Sequence, residues 1–154
     1  MSQHDDLYAA FTTHLEAFGK HRGFIDKANA LADKFRPEVV KVVVDDHTEQ
    51  SMAVVAEIMG VLFEVEGAVE GLEASKAEVE SGAVEQRSEL EELELNLMIE
   101  AISQEDFDAQ SKALTESLGE VDVVVAEIDA ELDNFRTALE LWTELGTSSG
   151  VLTE

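Results

Sequence analysis

Four histidines and one acidic cluster are the residues of this chain whose types and spacing could do chemistry. Asp45-Asp46-His47-Thr48-Glu49 gathers three carboxylates and an imidazole within five positions. On a helix, Asp45 and Glu49 share a face four residues apart, and His47 turns away from it. Ligands that diverge do not make a cation site, and a solvated helical stretch accounts for the same residues, so no metal is expected. His14 and His21 stand seven residues apart inside an otherwise apolar column. A buried imidazole is ordinarily neutral and hydrogen-bonded. It also changes charge near neutral pH, so the functional expectation is a pH-sensitive seam formed by His14, His21 and His47, which acidification would loosen.

Catalytic constellations are missing. The chain has no cysteine, which removes disulfides, thiolate zinc sites and cysteine nucleophiles. It has no P-loop, dinucleotide fingerprint, nucleophile elbow or His-Glu-x-x-His. None of its histidines has a glutamate three residues before it, as the facing pairs of a di-iron bundle require. Acidic pairs such as Glu91-Glu92 read as solvated helix faces, and Trp142 reads as core. No catalytic residue, cofactor-binding residue or cofactor is therefore expected.

The composition suits long helices. Hydrophobic residues make up 45% of the 154 positions and charged residues 29%, with a single proline. No apolar run is long enough for a membrane span, and Met-Ser-Gln-His-Asp-Asp does not open a signal peptide, so a cytoplasmic location is expected. The net charge of −25 disfavours direct nucleic-acid binding. Yet Lys20, Arg22, Lys27, Lys34, Arg36 and Lys41 crowd into positions 20–41 with only three acids, a local charge of +3. The remaining positions hold four basic and 32 acidic residues, a charge of −28. The favoured expectation is that the basic stretch pairs with acidic helices of its own fold. The alternative is a docking patch for an acidic surface.

These residues must be positioned by helices. Phe107, Ser111, Leu114, Leu118, Val121, Val125, Ile128, Leu132, Phe135, Leu139 and Trp142 alternate four- and three-residue steps. That spacing keeps one face of a helix against a partner helix. A similar column, Leu7, Phe11, His14, Phe18, His21, Ile25, Ala28, Ala32 and Phe35, predicts a first helix over 2–36, with Ser2 and Asp5 as a capping box. Gly19 and Gly23 in it suggest close approach by a neighbour. Pro37 suits the first turn of a second helix. Two heptad rows, Val55 to Leu97 and Ser51 to Leu93, carry that helix to about 102, with Lys76 and Gln86 as polar members. A break at Gly82 would give four helices instead of three. Valine-rich runs at 39–44 and 121–125 offer a β alternative, against which the columns run in phase. Ser103 caps a third helix that Gly146 should stop, leaving 147–154 as a flexible tail.

The expected fold is all-α: an elongated arrangement of long antiparallel helical hairpins, or a coiled-coil bundle of three to four helices, in one domain over 1–146. The first and third helices would fold back on the second and meet near Leu7 and Trp142. Met52, Val54, Met59, Val61 and Ala68 widen the apolar face of the second helix and are the expected partner interface, in a homodimer or hetero-assembly. The joint Leu97-Met-Ile-Glu-Ala-Ile-Ser-Gln-Glu-Asp-Phe107 resembles helix–turn–helix joints of bacterial helical adaptor proteins and identifies no family. The functional expectation is a non-enzymatic acidic interaction protein, an adaptor or scaffold component. The alternatives are a nucleic-acid-mimicking inhibitor of a basic protein, or a helical secretion chaperone or granule coat.

Overall fold

The computed structural model describes residues 4–152. Three α-helices make up most of them: α1 (Asp5–Ala30), α2 (Pro37–Met98) and α3 (Gln104–Ser148), with a 3-10 turn at Ala32–Lys34 after α1. Among the described residues there is no strand, and both valine-rich runs are helical. The in-phase columns outweigh β propensity, which is only a weak local preference. α2 is one helix of 62 residues that passes Ser81-Gly82 without a break.

The helix ends follow local chemistry. Ser2, half of the expected capping box, lies outside the described residues; His4 occupies the N-cap of α1 and makes no side-chain cap bond. Asp5 and Asp6 fill the first turn of α1, where the positive helix end favours acids. α1 stops at Ala30, short of the expected 36. Phe35 is already extended, and Pro37 disfavours helical backbone at the residue before it. α2 then starts at Pro37, whose missing N–H is no loss there. At the next joint Glu100 takes the left-handed conformation (φ 66°), and the Ala101 N–H donates to the Asn96 carbonyl at 2.8 Å. Ser103 caps α3 as expected: its Oγ accepts the Asp106 N–H at 3.1 Å.

The end of α3 differs from the expectation. The helix passes Gly146 and runs to Ser148, and the left-handed glycine is Gly150 (φ 81°). An interior glycine weakens a helix by only about 1 kcal/mol, so neighbouring contacts can carry it through. Here Leu152 covers Gly146, and the Leu152 N–H donates to the Gly146 carbonyl at 2.9 Å. The segment expected to be loose is thus tied back as far as Leu152.

The chain divides into two compact units, Met1–Val69 with Asp133–Glu154, and Glu70–Leu132. The first unit holds α1, the first half of α2 and the last turns of α3. Its core is built from Phe11, Leu15, Phe18, Val55, Ile58, Val65, Phe135 and Trp142, all buried. Tyr8 meets Phe135 edge-on at 5.8 Å and Phe18 meets Trp142 at 5.7 Å, arrangements that aromatic quadrupoles favour. These contacts correct the expected meeting near Leu7 and Trp142. α1 and the end of α3 lie alongside one another, joined by these aromatic contacts.

The second unit pairs the latter half of α2 with the first half of α3. Leu72, Ala83, Ile128 and Leu132 are its buried apolar residues. The two polar members of the α2 rows are partnered across to α3. Lys76 Nζ lies 2.7 Å from Asp129, and Gln86 accepts the Ser117 hydroxyl at 2.8 Å. Arg87 sits 3.8 Å from Asp122. Glu131 Oε1 is the one side-chain oxygen or nitrogen among the described residues that is buried without a hydrogen-bond partner.

Candidate interaction surfaces

The histidines come together in part. His21 and His47, on α1 and α2, place their Nδ1 atoms 3.1 Å apart. Phe24 lies beside both rings, 6.1 Å from His21 and 5.0 Å from His47. At that distance one Nδ1 must carry the proton and the other accept it, so the pair fixes opposite tautomers. One added proton fits at the donor's far nitrogen. A second would have to enter the Nδ1···Nδ1 bond and break it. His14 is not part of this cluster: its Nδ1 lies 3.1 Å from the Glu57 carboxylate. A protonated His14 would gain an ion pair, so a single loosening response does not describe all three residues.

The acidic cluster disperses. Asp45 accepts from Lys41 at 2.6 Å, Asp46 accepts from Gln50 at 2.8 Å, and His47 turns toward α1. Among the described residues no group of three or more histidine or acidic side chains is placed to hold a metal ion.

The basic window is a surface. Among the described residues, only Lys41 of its six cations stands in an ion pair, with Asp45 one turn along its own helix. That hydrogen bond, with the carboxylate's charge, raises the Lys41 pKa above the ordinary lysine value. Lys20 lies over the Phe24 ring at 5.8 Å, a cation–π contact. Arg22 is half-buried; Lys27, Lys34 and Arg36 are exposed. The favoured expectation, pairing with acidic helices of the same fold, is therefore not what the described ion pairs show. In the second unit, Asp129 and Asp122 are met by Lys76 and Arg87.

The expected partner face is not one face. Ala68 is 8% exposed and belongs to the core, which corrects its assignment to an outer contact. Val54 and Val61 are half-buried. Met52 and Met59 are exposed, and they project elsewhere. Two helical steps turn a side chain by about 200°, which puts Met52 and Met59 on the opposite flank of the core stripe from Val54 and Val61. Phe63, four residues after Met59, joins the methionine flank and is 82% exposed. Sequence reasoning missed it, although its spacing from Met52 and Met59 is the helical eleven and four. Gly19 and Gly23 also depart from expectation: a methyl group added at either would meet nothing within 4 Å.

Two further apolar sets surround the joints. After α1, Leu31, Phe35, Val39, Val42 and Val43 are exposed. Around the end of α2, Leu95, Met98 and Ile99 are exposed. No described helix is long and apolar enough to cross a membrane. Compared with known protein families, curated proteins and solved structures, the chain finds no match.

Proposed function

We propose that this chain is a non-enzymatic, acidic helical interaction protein, an adaptor or assembly component that binds protein partners and itself through helical faces. In this reading its helices pair as antiparallel coiled-coil hairpins, with Lys76 and Gln86 setting the register. The observation that carries the reading is the Met52–Met59–Phe63 stripe, an exposed apolar flank of α2 beside a filled core. An exposed phenylalanine with two methionines one and three turns away makes an adaptable contact surface, and water gains by losing it. The test uses mild cross-linking and co-purification of the full chain from its native cells. A reproducible protein partner, lost on Met59→Glu with Phe63→Glu while circular dichroism stays helical, is the expected result. A partner set unchanged by that substitution overturns the assignment.

A second reading is favoured by the second unit's charge. Residues 70–132 hold nineteen acids against three basic residues, two of which already meet carboxylates of the same unit. A surface so acidic suits a mimic of nucleic acid that occupies a basic protein cleft. Capture of a nucleic-acid-binding protein that is released by moderate salt, independent of Phe63, would select it.

A further inference from the structure

The two joints between helices are opposites in charge and alike in exposed apolar surface. At the first, Ala28, Leu31, Phe35, Val39, Val40 and Val43 line a hollow of about 220 Å³. Leu31, Phe35, Val39, Val42 and Val43 leave apolar surface open to water there, Val42 to 68%. Positions 27–43 carry Lys27, Lys34, Arg36 and Lys41 against Asp33 and Glu38, so the segment that forms the hollow has a net charge of +2. At the second joint, Leu95, Met98 and Ile99 project from the end of α2, Met98 to 81%. From position 88 to 111 there are eight acidic residues and no lysine or arginine.

We propose that the acidic α2–α3 joint of one copy docks into the basic α1–α2 joint of another. The proposal deepens the self-associating part of the reading above and rests on it. Leu95, Met98 and Ile99 would fill the hollow and cover Phe35 and Val42. Glu91, Glu94, Glu100 and Glu105 would meet Lys27, Lys34 and Arg36 of the basic segment. Among the described residues, both apolar sets stay open to water. A second copy suits the hollow because its α2–α3 joint brings both apolar projections and eight acids to a basic segment, a local attraction that acts against the repulsion between two chains of charge −25. Two copies that exchange both contacts form a closed two-fold dimer; a single contact per pair is heterologous and propagates from copy to copy.

The experiment is sedimentation of the full chain from micromolar to millimolar concentration, at low and moderate salt. Expected is a mass that grows with concentration, with affinity falling at least tenfold on Val42→Glu or on added salt. A charge exchange makes the test specific. Lys34→Glu with Arg36→Glu should abolish association, as should Glu91→Lys with Glu94→Lys, and all four together should restore it. A monomeric mass throughout overturns the proposal, as does association untouched by these changes. Association lost only with Phe63→Glu overturns the joint pairing yet leaves the interaction-protein reading standing. Anionic vesicle binding by a monomer that depends on Val42 overturns it too, giving the hollow to a lipid surface.

Discussion

The histidines show how much a residue's meaning depends on what a neighbouring helix brings to it. Spacing alone put His14 and His21 on one column, and both do lie on the α1 face that meets α2. Their partners separate them. His21 shares a single proton position with His47, whereas His14 faces Glu57. Substituting His21 by Leu leaves His47 Nδ1 without its partner and should cost about 0.5–1.5 kcal/mol at neutral pH. His14→Leu removes a contact whose carboxylate is solvent-exposed, which should cost less. Thermal melting of the two single variants in neutral and mildly acid buffer checks the division. Identical responses from both would return the three histidines to one common seam. Partner identity was the part that sequence could not supply for His14, because Glu57 lies 43 positions away and is only one of 35 acids.

At the scale of elements, what was legible in the sequence was periodicity. The α3 column from Phe107 to Trp142 contains every large buried residue of that helix, and both α2 rows point inward. The polar members Lys76 and Gln86 also announced themselves, since a charged or amide side chain on a seam needs a partner and finds one in Asp129 and Ser117. Less legible were the ends. Gly146 looks like a stop signal by residue type, but its fate depended on Leu152 folding back over it. The partner face was misjudged for a geometric reason. Counting apolar residues shows how wide a face is, and only the angle between them shows that Met52 and Val54 project from opposite flanks. Gly82 poses the sharpest question about an element. It lies within an uninterrupted helix, and a methyl group there meets nothing within 4 Å. Gly82→Ala should therefore stabilise the chain by about 1 kcal/mol, with unchanged helix content by circular dichroism. A loss of stability would mean that Gly82 supports a bend that alanine cannot follow.

At the scale of the whole molecule, charge works in two directions. Thirty-five acids against ten lysines and arginines repel one another more strongly in a folded chain than in an expanded one. Few compact ion pairs offset this: Lys41–Asp45 and Arg87–Asp122 are largely exposed, and exposed pairs contribute little. Salt shortens the reach of these fields to about 10 Å at 0.1 M and about 3 Å at 1 M. The folding equilibrium and the proposed joint pairing then respond with opposite signs. Folding loses a repulsion and should be stabilised, so the melting temperature of the full chain should rise between about 0.02 M and 0.5 M sodium chloride. Self-association loses an attraction between a basic segment and an acidic projection, so it should weaken over the same range. Measuring both on one sample separates local complementarity from global charge. A melting temperature that falls with salt would show that ion pairs such as Lys76–Asp129 outweigh the repulsion. The acidity would then be a structural feature of the second unit and not a burden that its apolar seams must overcome.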